Sequence, residues 1–237
     1  MKRRPWPTIN WYRTNKETCW IHVLPSPWWM RHRVGGVILD LGAGTGRIPI
    51  KVRDFSNRHT IVAVDISPRM LKLASQNIRT AKSENIHCLL ADIKRLPCLD
   101  ASVDMVISHV AMHHLPDPTQ MLKEVARVLK ADGAFLIRDL KRPPNRIVLE
   151  LYVQIFGGGA GYDSTQKKLY RDSLMAGFTA SELKQMAEDA GLEGFTVKKY
   201  FITHVGIKRK APGATPGPDV HFNGIKWALL HRSYRKW

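Results

Sequence analysis

The segment Asp40-Leu41-Gly42-Ala43-Gly44-Thr45-Gly46 closes a short apolar run, Val37–Leu41, and leads into a helical pattern. Glycines at such a turn allow positive φ and let a ligand approach the backbone closely. Their spacing is Gly-x-Gly-x-Gly, whereas dinucleotide sites use Gly-x-Gly-x-x-Gly. Asp40 stands two residues before the first glycine. A carboxylate there gains little beside a pyrophosphate and gains Coulomb attraction from an ammonium or sulfonium group. Two further acids, Asp65 and Asp92, follow the next two apolar runs, 60–64 and Ile86–Leu90. A carboxylate in the position of Asp65 can accept both hydroxyls of a ribose, and Asp92 is placed to take an adenine amino group. Each acid alone is equally well read as a loop-capping aspartate. Three in succession, each at the end of a predicted strand, point to a positively charged nucleoside, S-adenosylmethionine, rather than to NAD.

Groups able to move a proton come later in the chain. His113, His114 and Asp139 are candidates for a general base, since an imidazole with an ordinary pKa near 6.5 can accept a proton at neutral pH. As sequence neighbours, the two histidine rings are expected to diverge, one toward substrate and one into packing. A structural role is the competing reading for each. His109, His113 and His114 lack a carboxylate or cysteine at a suitable offset, so no metal site is expected. Arg138, Lys141 and Arg142 could orient an acidic substrate group, although Arg142 reads more simply as solvated charge. Tyr152, Tyr162 and Tyr170 suit either substrate contact or core.

Positioning these residues requires an alternating series. Strands are expected at Val37–Leu41, 60–64, Ile86–Leu90, 103–107 and 134–137, with helices between them. Pro49 falls in the first turn of the helix over 46–54. Ser67 with Pro68, and Asp117 with Pro118, are capped helix starts. Met70, Leu71, Ala74 and Ile78 share one face of the first of these helices, and Leu122, Val125, Ala126 and Leu129 one face of the second, with Gly133 closing the turn beyond it. Residues 147–156 read as a helix and 157–161 as a glycine loop. Thr179 to Glu182 is a capping box before Leu183, Met186, Ala187 and Ala190, and Gly191 ends that helix. Two last strands follow at 196–201 and 203–207. Five βα units in series imply a parallel, doubly wound α/β sheet. Its ligand belongs at the carboxyl ends of the strands, among residues 41–46, 65, 91–93, 108–114 and 138–141.

The chain has 237 residues and a net charge of +17, of which residues 1–33 and 206–237 contribute +12. All seven tryptophans lie in those ends. The natural division is a basic Trp-rich extension (1–33), a catalytic-type domain (34–207), and a basic linker and tail (208–237). A segment of that composition suits an anionic membrane or a nucleic acid. In the tail, Phe222, Ile225, Leu229 and Leu230 can share a helical face, and 211–218 reads as a linker. Three scattered cysteines exclude a disulfide framework. The start lacks the apolar stretch of a secretory signal, so the expected setting is cytoplasmic, with peripheral membrane contact through the ends.

Residues 37–50, 61–71, 90–93, 103–116 and 121–140 resemble the class I S-adenosylmethionine-dependent methyltransferases, in their small-molecule group. The resemblance covers about three-quarters of the chain, 34–207. It implies a Rossmann-like, seven-stranded, mostly parallel sheet with an antiparallel last strand. It also implies a donor site of Asp40, Gly42, Ala43, Gly44, Thr45, Gly46, Asp65, Ile66, Ala91, Asp92, Ile93, Ser108 and His109. Within the group, residues 139–143 and 170–174 look like those of the ubiquinone/menaquinone biosynthesis methyltransferases. That family's N-terminal signature is not visible in residues 1–33. The resemblance therefore implies methyl transfer to a small acceptor, lipophilic or quinone-like. Two alternatives stand beside it. One is a nucleic-acid methyltransferase, favoured by charge alone, although Ser108-His109-Val110-Ala111 is not the Asn/Asp-Pro-Pro-aromatic segment of base-amino methylases. The other is a non-catalytic module that binds the same cofactor, against which the intact glycine loop and three acids argue.

Overall fold

The computed structural model describes residues 35–55, 58–200 and 202–211. The Trp-rich extension, most of the expected linker and the amphipathic tail lie outside the described residues. Seven strands form one sheet in the order β3-β2-β1-β4-β5-β7-β6. They are β1 (Val37–Leu41), β2 (Thr60–Asp65), β3 (Ile86–Leu90), β4 (Val103–His109), β5 (Leu129–Leu140), β6 (Thr196–Tyr200) and β7 (His204–Arg209). β7 runs antiparallel to both β5 and β6, and the other pairings are parallel. Strand order reverses between β1 and β4, so their carboxyl ends flank a crevice.

The helices are α1 (Arg47–Phe55), α2 (Pro68–Thr80), α3 (Pro118–Val128), α4 (Arg146–Tyr152), α5 (Ser164–Ala176) and α6 (Ala180–Asp189). Pro49 is tolerated in α1 because it stands in the first turn, where an N–H has no intrahelical acceptor. Ser67 and Asp117 cap α2 and α3 through their side chains. The capping box at Thr179 and Glu182 forms with both hydrogen bonds in place. Gly191, at φ 75°, ends α6. One core layer packs α3 and α6 against Leu39, Leu41, Val106, Phe135, Ile137 and Val205. On the opposite face Ala74 and Ile78 of α2 pack on Ile38, Ile61, Ala63, Ile107 and Leu136. Burying each such large aliphatic side chain contributes about 1.5–3 kcal/mol.

Four local expectations are corrected. α3 ends at Val128, so Leu129 begins β5 rather than completing a helical stripe. No separate turn closes at Gly133, because β5 starts at once and absorbs the extra residues in a register shift opposite Val103–Met105. Helical structure continues from α4 through a π-helical stretch, Val153–Gly157, and on to residue 159, so most of the glycine run is not loop. Gly157 is buried there against Tyr162. Finally, α5 has no counterpart in the sequence reading, although its capping box at Asp163 and Gln166 is legible in retrospect.

Candidate functional site

The glycine loop is held from three sides. The amides of Gly42 and Ala43 both donate to the Val64 carbonyl at 2.9 Å. The Gly44 amide donates to Asp65 Oδ2 at 2.8 Å, and the Ser67 amide donates to Asp65 Oδ1 at 2.9 Å. Asn77 of α2 donates to the Thr45 carbonyl at 2.9 Å. Gly42 is obligatory on two grounds. Its φ is 75°, and a Cβ there would stand 2.4 Å from Ala111 Cβ. Gly46, at φ 76°, is less tight, with a Cβ there 3.1 Å from Ala74 Cβ. Such close approaches let the loop pack on Ala111 and α2 with no side chain between.

Asp40 lies at the floor of this loop and is 1% exposed. Among the described residues, its Oδ2 and the Thr45 hydroxyl are buried with no hydrogen-bond partner. Burial, and secondarily the charge of Asp65, push the Asp40 carboxyl up to about 8. An orphaned buried carboxyl is costly unless something else satisfies it. A ligand with an ammonium group does so, and the donor set therefore fits S-adenosylmethionine. Ile66, 66% exposed, offers an aliphatic surface beside Asp65. Asp92 makes a local turn through the Lys94 amide at 2.9 Å and pairs with Lys94 Nζ at 3.4 Å. Ala91 is anchored by its amide to the Asp65 carbonyl. Ile93 turns into the core, leaving its backbone to the site. Arg127 pins this β3–β4 connection from below, donating to the carbonyls of Leu96 and Cys98 while pairing with Glu124 and Asp100.

After β4 the chain makes a tight turn. Ser108 is buried and its hydroxyl donates to the Leu41 carbonyl at 2.8 Å, which braces β4 against β1. Val110 adopts φ 55°, costly for a β-branched residue. A 3₁₀ turn, Met112–His114, follows. Asp139, at the end of β5 and 1% exposed, organises it. Its Oδ2 accepts the amides of Met112 at 2.7 Å and His113 at 3.2 Å. Its Oδ1 accepts the Leu140 amide at 2.6 Å and lies 2.7 Å from His113 Nδ1. Four donors thus converge on this carboxylate, the His113 ring among them. A hydrogen on Nδ1 leaves His113 Nε2 as the ring's acceptor. The two histidine rings do not diverge as expected. Their centroids are 4.0 Å apart, with His113 buried and His114 exposed. Desolvation, then the neighbouring His113, lowers His114 to about 4.

A second group gathers on the β4–β5–β7 side. His109 and Arg138 are paired across β4 and β5, and the Arg138 guanidinium lies 3.0 Å from His109 Nε2. His204 of β7 is adjacent, its ring 5.6 Å from that of His109. Arg138 Cζ is 5.5 Å from the centre of the Tyr200 ring. The sequence reading placed His109 with the donor and did not single out His204 or Tyr200. Of the other candidates, Arg142 pairs with Glu182 at 2.7 Å instead of carrying free charge. Lys141 is fixed through its amide to the Thr203 carbonyl. Tyr152 is buried and donates to the Ile202 carbonyl.

An α/β sheet with this order and a glycine loop over a buried carboxyl are the arrangement expected of a nucleoside-cofactor enzyme of the methyltransferase type. Comparison makes this specific. Residues 39–137 match the family described as the methyltransferase domain. A demethylmenaquinone methyltransferase of Lactobacillus johnsonii is 30% identical over 193 residues, covering 76% of this chain and 79% of the relative. A ubiquinone/menaquinone biosynthesis C-methyltransferase of Hahella chejuensis is 29% identical, covering 74% and 76%. A SAM dependent methyltransferase from Aquifex aeolicus shares the fold, with a TM-score of 0.53, 19% identity, and coverage of 73% and 80%. The chain belongs to the class I S-adenosylmethionine-dependent methyltransferases. It is an enzyme that uses S-adenosylmethionine to methylate a small molecule, and the nucleic-acid and non-catalytic alternatives gain no support.

Proposed function

We propose that the acceptor is a hydroxylated aromatic compound of quinol type and that His113 is the general base. The Asp139–His113 contact carries this reading: it fixes the imidazole tautomer and leaves Nε2 to take a proton from an acceptor hydroxyl. The donor, when bound, supplies a methyl group already activated as a sulfonium. The protein then has to align the acceptor, exclude water and hold the released proton on His113. Asp40, Gly42, Gly44, Thr45, Asp65 and Ile66 would hold the donor, with Ala91 and Asp92 at its base end. The quinone substrates in the relatives' names support the acceptor class. So do Ile147, Leu151 and Ile155, which lie four residues apart on the outer face of α4 and its π-helical extension and are 81%, 52% and 55% exposed. They suit a lipophilic acceptor drawn from a membrane surface, which the basic ends of the chain would approach. Among the described residues no helix is long and apolar enough to cross a membrane.

The test is transfer of labelled methyl from S-adenosylmethionine to a reduced naphthoquinone by the full chain. Wild type is expected to turn over, and His113→Gln to lower kcat by about 10²–10⁴ without changing donor affinity. Donor binding with no transfer to any quinol or naphthol would remove the acceptor class. Unchanged kcat in the variant would remove His113 as base.

A further inference from the structure

We propose that the outer face of α4 and its π-helical extension docks on an anionic lipid bilayer. The inference rests on the lipophilic-acceptor reading and adds which surface meets the membrane. The helical stretch 146–157 is apolar on two opposite sides. Leu149, Tyr152 and Val153 fill the inner side, packed with Leu174 of α5. Ile147, Leu151 and Ile155 line the outer side and are exposed among the described residues. A surface helix of a soluble domain buries one apolar stripe and turns polar groups outward. A second stripe left uncovered on the same helix marks an interaction surface.

The charge around the stripe decides what covers it. Each of its three residues follows one that is a cation or is bonded to a cation. Arg146, exposed, precedes Ile147. Glu150, before Leu151, accepts from Arg171 Nε and Nη2, both at 2.7 Å. Gln154, before Ile155, accepts from Lys167 Nζ at 3.3 Å. Glu150 is the only acid in 146–157, and Arg171 matches its charge. An aliphatic stripe bordered by cations suits a helix lying in the plane of an anionic interface. Its side chains enter the acyl boundary while the cations meet the phosphates. A second copy of the chain is a poorer cover, because two molecules of charge +17 would set these same cations against each other. The location also suits delivery of an acceptor. α4 follows the carboxyl end of β5 across residues 141–145, and α5 lies against the 3₁₀ turn that carries His113 and His114. The docking face therefore belongs to the same end of the sheet as the crevice.

Flotation of the full chain with lipid vesicles tests the face without turnover. Wild type should bind phosphatidylcholine vesicles that contain phosphatidylglycerol. The combined variant Ile147→Ser, Leu151→Ser, Ile155→Ser should bind them at least about tenfold more weakly, because interfacial affinity scales with the apolar area inserted. Its basic ends are intact, so binding that they alone provide is common to both proteins. S-adenosylmethionine affinity by calorimetry should be the same in both. Amide exchange over residues 146–157 of wild type should slow when the anionic vesicles are added. Should the combined variant fail to fold, Leu151→Ser alone must weaken vesicle binding severalfold. Equal binding by wild type and the folded variants, or unchanged exchange over 146–157, overturns the proposal. So does a dimer in solution that the combined variant dissociates, which would give the face to a second copy. Vesicle binding through this face without methylation of any quinol would leave the docking surface standing and remove the acceptor reading. Quinol methylation with no vesicle binding would do the reverse.

Discussion

Asp40 makes donor binding a proton-linked event. With its carboxyl pushed up to about 8 by burial, the group is about nine-tenths protonated at pH 7. A cationic donor favours the ionised form, because an ammonium beside a buried carboxylate replaces the lost hydration. Binding should therefore expel about 0.9 proton at pH 7, and ionising Asp40 costs about 1.4 kcal/mol for the one unit between 7 and 8. The donor's own ammonium, an α-amino group with an ordinary pKa of about 8, loses its proton over the same range, so affinity should be highest at about pH 8 and fall on either side. Isothermal titration with S-adenosylmethionine in phosphate, HEPES and Tris separates the linkage, since the observed enthalpy then varies linearly with buffer ionisation enthalpy. The slope should be near one proton released in wild type and near zero in Asp40→Asn. Buffer-independent enthalpy in wild type would refute the argument that Asp40 is neutral before the donor arrives.

Gly42→Ala forces an L-residue to φ 75° and pushes a methyl into Ala111. It should cost about 2–4 kcal/mol in chemical unfolding and abolish donor binding. Arg127→Met removes the ties to Leu96, Cys98 and Asp100. A loss of about 2 kcal/mol is expected, with faster amide exchange confined first to residues 91–102. His109, His114 and His204 are all lowered in the fold, the latter two to about 4 and about 3. Unfolded chains bind those protons below pH 6.5 while the native state does not. Stability should therefore be full above 6.5 and fall as pH drops from 6.5 toward 4 and 3. The loss is at most about 1.4 kcal/mol per unit each for half-buried His109 and His204 and less for exposed His114. Denaturant midpoints at pH 7.5, 5.5 and 4.5 measure it, and His204→Gln should flatten the slope.

The sheet was legible because its strands are short apolar runs closed by acids or glycines, and because Ser67, Asp117 and Thr179 are caps whose chemistry is local. The donor loop was legible for the same reason, since Asp40 to Gly46 is one contiguous turn. Less local features were hidden. Nothing in the spacing of Asp139 and His113 announces a 2.7 Å contact, which depends on the β4–β5 register. His204 enters the site only because β7 inserts antiparallel beside β5, opposite to chain order. The glycine run at 157–161 misled because glycine was read as a loop former, while burial of Gly157 against Tyr162 rewards the absence of a side chain within a helix.

The four contacts of Asp139 bear on when this site comes into existence. Its acceptors are filled by the amides of Met112, His113 and Leu140 as well as by the imidazole. Those amides come into place only once β4 and β5 have paired at the centre of the sheet. The Asp139–His113 contact is thus assembled with the central strands of the sheet. Fraying of the β6 edge, the least supported strand, would leave it intact. Amide exchange at Met112 and His113 should therefore report global unfolding, so a chain that has lost its edge can still keep the Asp139–His113 contact.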